Sequence, residues 1–209
     1  MDVDTLWKHI HHERRALADT LADLSAEEWE NASACPGWRV RDVAAHVISH
    51  PQISWGSLLG SLLRERPTSF DTMILRDARR RGRAPVEQIL ADYATYDGSR
   101  AHAPMTTPLE PLIDILVHSQ DILRPLGRTH AMPVDAAAAA ADRALTQGRF
   151  LGRPPGVQQV RMVATDTGWS HGDGPVVEGP IQELLLLCAG RTVPAARLAG
   201  SGVALVRAA

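Results

Sequence analysis

The stretch LEPLIDILVHSQDILRPLG, residues 109–127, is the part of the sequence around which the fold is built. Apolar residues recur along it at helical spacing, which predicts a helix packed into a core. Four ionisable residues follow one face of that helix at i, i+4, i+8 and i+11, namely Glu110, Asp114, His118 and Asp121. Burying charge costs free energy unless the charge is paired or bound to a metal ion. The stretch therefore predicts a core helix that carries the chemistry of the protein.

Composition limits the class of protein. The chain has 209 residues, of which 44% are hydrophobic and 22% charged, as expected for one large domain or two small ones. A net charge of −2 predicts no nucleic-acid partner and no anionic membrane surface. We also expect no membrane span and no signal peptide, since no apolar run is long enough. Cys35 and Cys188 lie far apart without a CxxC motif, which is typical of a reducing cytoplasm.

Most of the first 150 residues have helical periodicity, interrupted by Pro, Gly and capping residues. A short helical turn is expected at SAEEWE, where Ser25 and Glu28 form a capping-box pattern. The predicted longer helices cover residues 4–23, 38–49, 52–66, 70–81, 85–97, 109–124 and 135–147, with Asp135 as the cap of the last. The basic run ARRRGR at 78–83 is interpreted as solvated cations at a helix C-terminus.

The sequence pattern changes near residue 150, where RPPG at 153–156 is typical of a linker. Strands are predicted over 157–165, 169–171 and 175–178, with a hairpin turn at Gly172-Asp173-Gly174. A helix should follow Pro180 and end at Gly190, and residues 203–206 are expected to close the sheet. The sequence thus predicts a mainly α protein: a helical bundle over residues 1–150 and a small α+β module over 151–209.

A metal site is the strongest functional hypothesis from spacing. The helix before Pro51 carries Asp42, His46 and His50 at i, i+4 and i+8. A bundle brings inward-facing side chains of two helices together around one ion, and three ligands with an open position are typical of catalytic zinc. We expect His46, Asp114 and His118 as the ligands, although spacing alone does not choose between His46 and His50. The competing interpretation is a set of hydrogen-bonded histidines without metal.

Two segments resemble a known family. They are PGWRVRDVAAHV at 36–47 and DILVHSQDILRPLG at 114–127, which resemble the mycothiol-dependent maleylpyruvate isomerase-like proteins of the DinB-like metal-binding superfamily. GDGPVVEGPIQELLLLCAGR at 172–191 resembles the start of their small C-terminal domain. The resemblance implies a DinB-like four-helix bundle that holds a divalent metal, usually zinc, through His46, Asp114 and His118. The chain differs at Asp114, where the characterised isomerase has Glu.

The resemblance also implies a reaction. Mycothiol or a similar thiol would occupy the open metal position as a thiolate and add to a small electrophile. An isomerase would then release the thiol after rotation about the former double bond, whereas an S-transferase would retain it. Nickel is the alternative to zinc, and Asp121 or Asp42 would orient a metal-bound imidazole.

Two further expectations concern alternatives and assembly. In a non-catalytic metal-binding or ligand-binding protein, His50 would fill the fourth coordination position. Dimerisation through the bundle is compatible with the sequence. Cys188 is expected in the core, and Cys35 at an exposed turn without reactivity.

Overall fold

The computed structural model of the chain describes residues 1–56, 60, 69–146 and 155–207. The chain divides into two compact units, which we call the bundle unit, Asp2–His130, and the C-terminal unit, Ala131–Ala209. The predicted domain boundary at residues 150 and 151 lies outside the described residues. The alanine-rich helix that follows Pro133 groups with the C-terminal unit and not with the bundle.

The described helices of the bundle unit follow the predicted order. They are α1 (Val3–Ala22), α2 (Ala26–Glu30), α3 (Val40–Val47), α4 (Phe70–Arg81), α5 (Val86–Thr95) and α6 (Leu109–Leu123). α3 packs against α4 and α6, and α1 packs against α5 and α6. The predicted helix over 52–66 falls mostly outside the described residues. The prediction of a mainly helical fold is confirmed.

α6 is the central helix of the bundle unit. From Pro111 to Leu123 every residue is buried except Asp114, which is half-buried. Leu112, Ile115 and Ile122 are fully covered by neighbouring side chains. A helix that is buried nearly all round lies in a core, so the stretch 109–127 has the role that its periodicity predicts. The half-buried position marks where solvent reaches this helix.

α3 is shorter than predicted. It ends at Val47, and the chain continues into a 3₁₀ turn over His50–Gln52. Pro51 explains the early end, because proline lacks the N–H group that would continue the hydrogen bonds of the helix. At the other end of α3, the Asp42 carboxylate accepts hydrogen bonds from the backbone N–H and the guanidinium of Arg39.

α1 is the longest described helix and packs one face inward. It has 20 residues, and Asp2 caps its start by accepting a hydrogen bond from the Thr5 N–H. Its inward face buries Leu6, Ile10 and Leu17. Charged residues occur throughout its length. No helix among the described residues combines the length and the apolar character that crossing a bilayer requires.

The C-terminal unit combines helices with a small sheet. Its elements are α7 (Val134–Thr146), β1 (Arg161–Ala164), β2 (Ser170–His171), β3 (Val176–Gly179), α8 (Ile181–Cys188) and α9 (Val203–Arg207). α8 packs against α7 and β1. The predicted end of α8 is confirmed, because Gly190 has a φ of +78°, the left-handed conformation that favours glycine after a helix.

The order of the strands corrects the predicted hairpin. The sheet order is β2-β1-β3, with β1 antiparallel to β2 and parallel to β3. β2 and β3 are therefore not neighbours, and Gly172-Asp173-Gly174 does not form a hairpin turn between them. The first strand is also shorter than predicted, because Pro155–Gln159 forms a 3₁₀ turn. Strand order depends on pairing between distant segments, which local turn signals do not determine.

Two other local predictions are wrong. Residues 203–206 are part of the helix α9 and do not extend the sheet. The chain instead pairs Ala199 with Glu178 through two backbone hydrogen bonds of 2.8 Å, and then turns at Gly200, whose φ is +101°. Asp135 lies inside the first turn of α7 and is not its N-terminal cap.

Candidate metal centre

α3 and α6 bring three of the predicted side chains to one place. Nε2 of His46 lies 3.6 Å from Oδ2 of Asp114, and Nε2 of His118 lies 4.0 Å from Oδ1 of Asp114. One donor atom from each of the three residues lies within 4.8 Å of the other two. Asp114 and His118 are adjacent because residues four apart share a helix face. Packing of α3 against α6 brings His46 to that face.

The spacing of these atoms fits a small divalent cation. Zinc binds imidazole nitrogen and carboxylate oxygen at about 2.0–2.2 Å, so two such donors on one ion lie at most about 4.3 Å apart. Both measured separations from Asp114 are below that limit. Nitrogen and oxygen donors also suit nickel, iron and manganese, so the donor set does not choose among these metals.

The protonation states suit metal binding. Loss of water contacts raises the pKa of Asp114, but the charge of His50, the adjacent imidazole of His46 and the hydrogen bond from His50 outweigh this effect and hold that pKa well below its usual value. Burial lowers the pKa of His118, and the hydrogen bond that His118 donates to Asp121 only partly offsets this effect. The two residues therefore favour a carboxylate and a neutral imidazole at neutral pH, which are the forms that bind metal ions.

Asp121 and Cys35 lie beside Nδ1 of His118, the ring nitrogen that faces away from Asp114. Oδ2 of Asp121 lies 2.8 Å from Nδ1 of His118. A carboxylate accepts hydrogen bonds, so the proton of His118 sits on Nδ1 and the lone pair on Nε2 faces Asp114. The Sγ atom of Cys35 lies 3.1 Å from the same Asp121 oxygen and 3.6 Å from Nδ1 of His118. These three residues also form a group of donor atoms close enough to hold a metal ion. Their separations of 2.8 and 3.1 Å are hydrogen-bond distances, so we interpret the group as a hydrogen-bonded network.

The burial of Cys35 corrects the sequence prediction of an exposed thiol. Only 8% of the residue is exposed. The sequence contains no signal for this contact, because 83 residues separate Cys35 from His118. The prediction for Cys188 agrees with the structure, since Cys188 is fully buried against Met162 in the C-terminal unit.

Trp38 forms an aromatic wall beside the two histidines. Its ring lies nearly parallel to that of His118, with centroids 6.0 Å apart and planes 19° apart. It meets His46 edge to face, with centroids 5.1 Å apart. Large rings in contact restrict the rotation of both imidazoles and exclude water from one side of them. The exposed Trp55 has no such role among the described residues.

Two residues of the predicted constellation lie elsewhere. Glu110 accepts hydrogen bonds from the backbone and the hydroxyl of Thr107 at the start of α6. Asp42 is occupied by Arg39 and does not orient either histidine, so that part of the prediction is wrong. The stripe of ionisable residues on α6 is real, but only Asp114, His118 and Asp121 meet in the site.

His50 is the additional residue at this centre. Its Nε2 is hydrogen-bonded to Oδ2 of Asp114, while its Nδ1 is buried and has no hydrogen-bond partner among the described residues. The i, i+4 spacing of His46 and His50 predicts that both face the same way, and the 3₁₀ turn keeps His50 near α6. Both histidines therefore lie beside Asp114. His50 is hydrogen-bonded to its carboxylate, whereas Nε2 of His46 lies 3.6 Å from Oδ2.

Comparison with known sequences places the chain in a family. Residues 10–114, half of the chain, match the profile described as the mycothiol maleylpyruvate isomerase N-terminal domain. The chain belongs to this family. The matched region contains His46 and Asp114, and it ends before His118. Membership agrees with the resemblance identified from the two N-terminal motifs.

Two solved structures of the mycothiol-dependent maleylpyruvate isomerase share the fold. One is the isomerase itself, and the other is a variant of it with a histidine changed to alanine. They have 13% and 12% sequence identity to the chain, each with a TM-score of 0.63 over 96% of this chain and 93% of theirs. No curated protein matches the sequence. At this identity the likeness establishes the fold alone.

Proposed function

We propose that this protein is a divalent-metal-dependent enzyme that uses a low-molecular-weight thiol of the mycothiol type to isomerise or conjugate a small electrophile. The observation that carries the proposal is the cluster of His46, Asp114 and His118, whose donor spacing fits one ion. Membership in the mycothiol maleylpyruvate isomerase family supports the choice of thiol and of reaction class.

Each residue of the proposed metal centre would have its own role in the reaction. Two neutral imidazoles and one carboxylate would hold the ion and leave it a net positive charge. A bound divalent cation would stabilise the thiolate of the co-substrate at neutral pH. Asp121 holds the proton of His118 on Nδ1 and keeps Nε2 directed at the centre. Trp38 covers one side of both imidazoles and limits access of water there.

Several finer assignments belong to the same proposal. Zinc is the proposed ion, with nickel as the alternative, and mycothiol is the proposed thiol. We propose a cytoplasmic location, because both cysteines of the chain are free thiols. A homodimer and a domain boundary near residue 150 remain predictions from the sequence.

Elemental analysis of the purified protein tests the metal centre first. We expect close to one zinc or nickel ion per chain, and loss of the ion in His46→Ala, Asp114→Ala and His118→Ala. The matched control is His12→Ala, because the side chain of His12 is 72% exposed on α1. Wild-type protein that contains no metal and takes up none would refute the proposal.

An activity assay then separates the enzyme from its alternative. The metal-loaded protein, mycothiol and maleylpyruvate or a related unsaturated acid should give isomerised product or a thioether. The contact of His50 with Asp114 is the observation that favours the alternative, a metal-binding or ligand-binding protein without catalysis, if His50 serves as a fourth ligand. Metal-loaded protein without turnover of any thiol and electrophile would favour that alternative.

A further inference from the structure

We infer that His50 is a positioning residue, which orients the carboxylate of Asp114 at the metal centre and is not itself a ligand. The inference rests on the proposed function only in taking His46, Asp114 and His118 as the ligands. His50 lies in the 3₁₀ turn after α3 and is 7% exposed. Its Nε2 is hydrogen-bonded to Oδ2 of Asp114, a residue 64 positions away in the sequence.

The position of the hydrogen-bond proton separates the two roles. An ionised carboxylate only accepts hydrogen bonds, so the proton of this contact sits on Nε2 of His50. That nitrogen then has no lone pair to offer a metal ion. The other ring nitrogen, Nδ1, is buried and has no hydrogen-bond partner within the part of the chain that the structure describes. Among the described residues, His50 also belongs to neither group of three donors that is compact enough for an ion.

The contact has a direct effect on the carboxylate. A hydrogen bond to Oδ2 fixes the rotation of the Asp114 carboxylate about its last side-chain bond. In this orientation Oδ2 lies 3.6 Å from Nε2 of His46, and Oδ1 lies 4.0 Å from Nε2 of His118. Without His50 the carboxylate is free to turn, and the three donors are less well organised before the ion binds. Loss of a contact that supports a ligand typically weakens metal affinity by about 10–100-fold.

Zinc affinity and ligand counting test this role without reference to turnover. Chelator competition is measured on the wild type, His50→Ala, His50→Gln and the exposed control His12→Ala. We expect about 10–100-fold weaker zinc binding in His50→Ala and none of this loss in His12→Ala. His50→Gln should recover part of the affinity, because its amide N–H can donate to Oδ2. X-ray absorption of the zinc-loaded proteins should count two imidazoles in the wild type and two in His50→Ala.

Three results would overturn the inference. Three imidazoles in the wild type would make His50 a ligand, and unchanged affinity in His50→Ala would remove its positioning role. The first result keeps the metal centre but favours the alternative without catalysis, and the second leaves the proposed function standing. A wild type that binds no zinc would refute the inference and the proposed function together. Circular dichroism and thermal unfolding verify that each variant is folded. If His50→Ala does not fold, the imidazole count of the wild type and the zinc affinity of His50→Gln still decide whether His50 is a ligand or a positioning residue.

Discussion

At the scale of single residues, Glu13 and His130 form a pair whose strength depends on pH. Glu13 is buried on α1, and its Oε2 lies 2.7 Å from Nε2 of the partly exposed His130. The hydrogen bond that His130 donates to the Glu13 carboxylate raises the pKa of His130 above its usual value, more than burial lowers it. The folded state therefore binds the proton more tightly than the unfolded state. The resulting stabilisation is present below about pH 6.5 and is lost as the pH rises through the folded pKa.

We predict that His130→Gln loses stability mainly at low pH. The free energy of unfolding should fall by about 1 kcal/mol relative to wild type at pH 5.5, and by clearly less at pH 9, because neutral His130 and Gln both act only as neutral donors. Denaturant unfolding at the two pH values measures the difference. The exposed His171→Gln is the control and should show the same small difference at both. An effect of His130→Gln that grows with pH would contradict the prediction.

At the scale of elements, the packing of α4 against α3 depends on Gly82. Gly82 follows α4 with a φ of −63°, a conformation that any residue adopts. In an open position alanine there would stabilise the fold by about 0.4–1 kcal/mol. A Cβ atom at Gly82 would instead lie 2.1 Å from Oδ1 and 2.8 Å from the Cα of Asp42. The second contact is with backbone, so the two helices would have to move apart.

We predict that Gly82→Ala destabilises the protein by about 1–3 kcal/mol, as expected for overpacking. Thermal and denaturant unfolding measure the change. Gly168→Ala is the matched control, since no atom of the described residues lies within 4 Å of its added Cβ, and it should leave stability unchanged or raise it by up to about 1 kcal/mol. A neutral or stabilising Gly82→Ala would show that α3 and α4 do not pack as closely as the distances indicate.

At the scale of the whole molecule, a bound ion would join two helices that are far apart in the sequence. His46 lies on α3, whereas Asp114 and His118 lie on α6. A ligand that binds only the folded state stabilises it by RT ln(1 + [L]/Kd), which is about 2.7 kcal/mol at a hundredfold excess over Kd. For a chain of this size that corresponds to roughly 5–10 °C in melting temperature.

We predict that removal of the metal with a chelator lowers the melting temperature of the wild type by this amount, and that added zinc restores it. His118→Ala should melt at the same temperature with and without the chelator. Differential scanning fluorimetry of both proteins measures these shifts. A chelator effect of equal size in His118→Ala would mean that the stabilising ion binds elsewhere.

Much of the helical architecture was predictable from the sequence, because helix geometry is local. The spacing of Asp114, His118 and Asp121 places them on one side of α6 whatever surrounds the helix. The capping box of Ser25 and Glu28 and the glycine after α8 are equally local features, and the structure confirms both. The sequence therefore determined the central helix, its ionisable face and the mainly α fold.

Only the tertiary structure decided which side chains meet. The burial of Cys35 beside Asp121, the different contacts of His46 and His50 with Asp114, and the position of β1 between β2 and β3 all join distant segments. Such contacts depend on how helices rotate against each other and how strands pair, and no spacing rule within one segment contains that information. The sequence thus determined which donor groups each helix offers, and packing decided their partners.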